Sequence, residues 1–210
     1  VRPDRYDGDP DLDRLERTVA GLDGVVEMAV TAAREKIGEP TCAGCRSPGC
    51  CYQRVSVTLA EALPIARRLI SRGFDSPGVR RRLAGEGEEM SSRTPEEWWA
   101  LSRPCFFLGE GRCSIYDVRP VACRARFSWS DPELCQPPAV SDVVTVDMVG
   151  AARAVVQLNL ELCRGLGLND VVTYAGAMPR MVAVALEALS RDTAAAVEYL
   201  WGLEFPIAGR

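Results

Sequence analysis

The sequence contains no histidine, and lysine occurs once, as Lys36. Without imidazole there can be no Ser–His–Asp relay, no Cys–His nucleophile pair and no mixed Cys/His zinc site. Arginine is therefore almost the only cation. The arginines are scattered rather than striped, so nucleic-acid binding gains no support from composition. No apolar run approaches the roughly 18 residues of a membrane-crossing helix. The opening VRPDRYDGDPDLDR is polar and acidic, the opposite of a secretory signal, and a cytoplasmic protein with no membrane partner is expected. A glycine-rich phosphate loop, a dinucleotide fingerprint and a Gly-x-Ser-x-Gly elbow are also missing.

What the chain does have is cysteine, nine of them in 210 residues. Cys42, Cys45, Cys50 and Cys51 lie in TCAGCRSPGCC. Cys105, Cys113 and Cys123 lie in PCFFLGEGRCSIYDVRPVACR, with Cys135 a short loop beyond. Both quartets sit in turn-forming sequence, with Gly109, Gly111 and Pro120 bending the second. Disulfides would leave one thiol over and would not persist in a reducing cytoplasm, where clustered cysteines bind metal or do redox chemistry. At 47% apolar content the chain can build a core without such staples. Metal is the expected occupant.

The Cys42-x-x-Cys45 turn suits two thiolates on one tetrahedral ion, and thiolate quartets serve zinc or iron–sulfur clusters. The adjacent pair Cys50-Cys51 is less usual. Neighbouring side chains in extended backbone point apart, so the pair can serve two centres, or two metals of one centre. Cys105, Cys113 and Cys123 are too far apart in sequence for a simple knuckle and have to be gathered by folded loops. Arg119 and Arg124, flanking Pro120 and Cys123, are placed to donate to sulfur or balance thiolate charge around the centre. Cys163, alone in an apolar helical stretch, reads as a small buried hydrophobe.

Helical patterning surrounds the cysteines. Leu12, Leu15, Val19, Leu22, Val26, Ala29 and Ala33 mark one face of a helix capped by Asp9, begun at Pro10 and ended near Ile37–Gly38; Gly21 and Gly24 allow a joint in it. Val55 and Val57 predict a short extended segment. Thr58 and Glu61 form a capping box for a helix to about Arg72–Gly73, with Pro64 set to kink it or delay its start. Within 75–93, RRRLAGEGEEM reads as a short exposed helix followed by a mobile loop. Thr94 opens another helix carrying Trp98 and Trp99, with one indole expected over the metal region. A helix over about Val146–Arg164 is stopped by Gly165. Two more follow within Asn169–Gly202, before an exposed tail. The expected fold is mainly α, one domain over 1–210. Its helical scaffold (9–38 and 143–202) surrounds an irregular, loop-built metal core over 41–135.

The set CAGCRSPGCC, then PCFFLGEGRCSIYDVRPVACR, resembles the YkgJ-type cysteine-cluster family, labelled a zinc- or iron-chelating domain. The resemblance covers roughly Thr41–Cys135 and is most specific over GRCSIYDVRPVACR. It implies metal ligation by Cys42, Cys45, Cys50, Cys51, Cys105, Cys113 and Cys123, with Cys135 as an eighth ligand at looser spacing. It also carries over Ile115, Tyr116, Arg119, Pro120 and Arg124. Members described as iron–sulfur oxidoreductases, together with the adjacent pair and the wide spacing, favour an iron–sulfur cluster over zinc. Electron transfer, or cluster-assisted modification of a protein partner, is then the expected function. The alternatives are a non-enzymatic zinc interaction module and a protein-modifying enzyme such as a methyltransferase, although no S-adenosylmethionine motif is evident.

Overall fold

The computed structural model describes residues 10–41, 49–135, 137, 149–168 and 174–203. Among them the α-helices are α1 (Pro10–Ile37), α2 (Leu59–Ser71), α3 (Pro77–Ser91), α4 (Pro95–Ala100), α5 (Val121–Arg124), α6 (Val149–Gly165), α7 (Met178–Leu189) and α8 (Thr193–Trp201). The strands are β1 (Ser56–Thr58), β2 (Leu108–Gly109), β3 (Arg112–Cys113) and β4 (Ala175–Ala177). The protein is mainly α, as its periodicities imply.

α1 is one unbroken helix. Gly21 and Gly24 lie on its exposed side, and the buried positions Leu15, Val19, Leu22, Val26 and Val30 carry the helix past them. The expected cap, Asp9, lies outside the described residues, as does the tail from 204 onward. α2 begins at Leu59 with Thr58 as its cap, so Pro64 does not delay it. The proline lacks only the N–H that would bond Ala60 C=O, and it is buried between buried Leu63 and Ile65.

β1 pairs antiparallel with β4 in the register Ser56↔Ala177, Val57↔Gly176 and Thr58↔Ala175. Each strand runs directly into a helix, β1 into α2 and β4 into α7, so this short ladder sets those two helices against each other at the centre. β4 is Ala-Gly-Ala and carries no β-branched signal, which is why its sequence did not disclose it.

Residues 75–93 depart from expectation. They form a single helix, not a short one followed by a loop, because α3 lies flat on α7. Leu83, Gly87 and Met90 face inward, and a Cβ at Gly87 would stand 2.4 Å from the Arg180 backbone nitrogen. The glycine that weakens the helix in isolation is what permits this approach. Trp98 is buried with Met90, Leu101 and Ala177, so it packs between α3, α4 and β4 instead of covering cysteines. α6 passes through Gly165, and Gly167 (φ +69) makes the stop, with Leu168 N–H returning to Cys163 C=O at 2.8 Å.

Two apolar cores position the site. The larger joins α2, α3, α7, α8 and the first half of α1 to Phe107, Ile115 and Val118 of the cysteine stretch; Cys163 is fully buried in it. The second packs Leu22, Val26 and Val30 of α1 against Val121 and Ala125 around α5 and Ala151 and Val155 of α6.

Candidate metal centre

Thr41 anchors the entrance to the first cysteine group. Its backbone N–H bonds Ser128 C=O at 2.8 Å, and its hydroxyl donates to Ser128 C=O at 3.0 Å and to Ser130 C=O. Trp129 Nε1 reinforces the join by donating to Gly38 C=O at 2.7 Å. Residues 42–48 follow, so Cys42 and Cys45 lie outside the described residues. The chain resumes in a 3₁₀ turn, Gly49–Tyr52, bearing Cys50 and Cys51.

One main-chain bond joins the two cysteine groups: Cys105 N–H donates to Cys51 C=O at 2.6 Å. Cys105 then closes a turn in which its own carbonyl accepts from Leu108 N–H at 2.9 Å. β2 and β3 follow as a two-residue hairpin, with Leu108↔Cys113 and Gly109↔Arg112 paired. Glu110 and Gly111 both adopt positive φ, +49 and +73, the conformation that matches such a hairpin to strand twist. The hairpin returns Cys113 to the side of Cys105. Ser114 ties it off, donating to Phe107 C=O from both N–H and hydroxyl at 2.8 and 3.0 Å.

α2 grips the next turn from the scaffold side. Arg72 Nη1 donates to Ser114 C=O at 2.6 Å, and Arg68 forms an ion pair with Asp117. Arg124 is buried and braces the same turn, Nε to Arg119 C=O at 2.6 Å and Nη2 to Asp117 C=O at 3.0 Å. Pro120 then starts α5, which carries Cys123. Glu61, the N3 residue of the α2 capping box, extends past its own helix, and its Oε1 accepts Val121 N–H at 3.0 Å. Cys135 ends a 3₁₀ turn, Pro132–Cys135, that packs against the Gly49–Tyr52 turn.

Cys50, Cys51, Cys105, Cys113 and Cys123 are close enough to act on one another electrostatically. A hydrogen bond from Cys51 is the main influence lowering Cys50, to about 6. Burial opposes this, while Arg126 and Arg119 add to the lowering. Cys51, the donor, is pushed up strongly by that bond and by burial. Burial raises Cys113 and lifts Cys105 and Cys123 to about 12. Without metal, four of these five sulfurs therefore keep their protons at neutral pH.

The donor chemistry fits a thiolate-bound metal. Arg119 acts on Cys50, Cys113 and Cys123, and its guanidinium lies over the Tyr116 ring at 3.9 Å. Its Nε–H is buried with no acceptor among the described residues, an orphan that a sulfur bearing negative charge would satisfy. Glu86 of α3 and Asp117 are the carboxylates that act on Cys105 and Cys113. Among the described residues alone, no three ligand-type side chains converge tightly enough to hold an ion, and two of the eight expected cysteines stand outside them.

Residues 41–140 match the family described as "CxxCxxCC: Putative zinc- or iron-chelating domain". Over this stretch the chain is similar to that cysteine-cluster family. The match spans just under half of the chain, taking in both cysteine quartets and leaving α1 and α6–α8 outside. No curated protein and no solved structure matches the chain.

Sequence reasoning located Arg119 beside the cysteines. It missed that Arg124 holds turn carbonyls and that Glu61 and Glu86 reach the site from α2 and α3. The capping box was visible for Glu61, but its second oxygen has no sequence signature. Glu86 sits in a charge run in which Arg81, Arg82 and Glu88 are exposed.

Proposed function

We propose that the chain houses an iron–sulfur centre used for electron transfer or for cluster-assisted modification of a protein partner. One observation supports this reading: five thiols, Cys50, Cys51, Cys105, Cys113 and Cys123, lie close enough to act on one another electrostatically, and a single tetrahedral zinc takes four. The Pro132–Cys135 turn, which ends in Cys135, packs against the Gly49–Tyr52 turn that carries Cys50 and Cys51. A set of this size favours a polynuclear centre, with Cys42, Cys45, Cys50, Cys51, Cys105, Cys113, Cys123 and Cys135 as its ligands. When bound, an iron–sulfur group would supply one-electron chemistry.

The surrounding residues have distinct tasks in this reading. Arg119 and Arg126 offset thiolate charge at Cys50, the most exposed of the described cysteines, which marks the edge nearest a partner. Phe107 and Ile115 bury the opposite side in the larger core and exclude water there. Arg124, Arg72 and Arg68 hold the turn between Cys113 and Cys123 at fixed width.

Anaerobically purified protein tests the proposal by colour. A brown protein that bleaches on reduction supports it. A colourless protein containing zinc would move function to the helical surfaces, as expected of a zinc interaction module.

A further inference from the structure

Glu61 is 4% exposed, and both of its carboxylate oxygens are used. Oε2 accepts Thr58 N–H at 3.0 Å and the Thr58 hydroxyl at 3.1 Å, closing the α2 capping box. Oε1 accepts Val121 N–H at 3.0 Å, sixty residues away, at the first residue of α5. A single buried carboxylate thus ties together the starts of two helices. The first belongs to the scaffold, and the second carries Cys123 at its third residue.

The start of α2 is itself held from several directions. Leu59 N–H donates to Tyr174 C=O at 2.8 Å, and Ala60 N–H to Oδ1 of the fully buried Asn159 at 3.1 Å. Glu61 is therefore mounted on a rigid point, and whatever it grips is fixed relative to the central helices. Capping alone would need only one of its oxygens. We infer that Glu61 is a positioning residue for the metal centre, holding α5 so that Cys123 meets the other thiols. This inference rests on the reading of Cys123 as a ligand.

Two substitutions cut the link from opposite ends. Glu61→Gln leaves one acceptor where two are used, so its amide NH2 must face either Thr58 N–H or Val121 N–H. Val121→Pro deletes the donor and leaves the α2 capping box intact; proline suits the first position of a helix, and Pro120, at ψ 160, tolerates a following proline. Thr58→Val is the control, since it weakens the start of α2 without touching the bond to Val121.

The test measures metal affinity by chelator competition, together with the visible absorption envelope, on the full chain as purified. Glu61→Gln and Val121→Pro are expected to lose about 10-fold or more in affinity and to shift the envelope, as changes beside metal ligands do. Thr58→Val is expected to keep the wild-type envelope and an affinity within about twofold. Wild-type affinity and envelope in both linked variants would overturn the inference. So would a Thr58→Val loss equal to theirs, because the effect would then be helix stability alone. A wild-type chain that holds no metal would overturn the metal-centre reading itself, and this inference with it.

Discussion

On the proposed reading the cysteines of this chain play two different parts, and substitutions should separate them. Cys105→Ser, Cys113→Ser and Cys123→Ser are each expected to lower bound metal and to destabilise the fold by more than about 2 kcal/mol, since metal binding contributes folding energy. Cys163→Ala, in the larger core, should cost about 1–2 kcal/mol from lost packing while metal content stays unchanged. Metal analysis and denaturant titration on the four variants check both statements. Full metal and stability in all three serine variants would remove those cysteines from the ligand set.

The same buried thiols give a pH dependence to the metal-free protein. Cys105 and Cys123 lie near 12 in the folded chain against an ordinary value of 9.0, so the folded state holds protons that the unfolded state releases. Their contribution to stability is complete below about pH 9 and is lost as pH rises toward 12. Denaturation of metal-free protein across that range should show the loss. The double variant Cys105→Ser/Cys123→Ser should show less of it.

At this scale the sequence offered the candidate ligands but not the contacts around them. The two quartets, the absence of histidine and the arginines beside Pro120 were all legible, because ligand chemistry is written in residue type. The second bonds of Glu61 and Arg124 were not legible. Each depends on a contact made across the fold, and neither residue type nor spacing encodes one.

Among the elements, α3 supplies the sharpest pair of predictions. Gly87→Ala places a methyl group against the Arg180 backbone and should destabilise the protein by about 1–3 kcal/mol, the range for overpacking a tight contact. Gly85→Ala, two residues earlier on the open side of the same helix, meets nothing and should stabilise it by up to about 1 kcal/mol. Thermal denaturation of the two variants checks the opposite signs. The β2–β3 hairpin allows a third test. Gly111 adopts a φ of +73 that a β-branched residue resists, so Gly111→Val should loosen the pairing of Cys113 with Leu108 and lower metal retention.

Elements with strong local signals were read closely. Pro10 and Ile37 bound α1, and Thr58 and Thr94 cap their helices. Misreadings arose where tertiary packing overrides local preference. The stretch 75–93 is one helix because Gly87 lets the backbone of α7 lie against it, and β4 pairs with β1 without a strand signal of its own.

Across the whole molecule, the cysteine-bearing segment and the C-terminal helices are mechanically joined. Val121 and Ala125 are packed between α1 and α6, and Asn159 and Tyr174 complete the start of the helix that holds α5. Withdrawing metal with a chelator is therefore expected to lower the thermal midpoint of the whole cooperative transition, not to melt a local loop. Coincident shifts in helical and tryptophan signals would check this.

Iron, zinc and acid-labile sulfide, counted per chain on protein purified without oxygen, test the central claim most directly. If the two cysteine groups close on one polynuclear thiolate centre, more than one iron per chain will be found with matching sulfide. One zinc per chain without sulfide, or no metal at all, would contradict it.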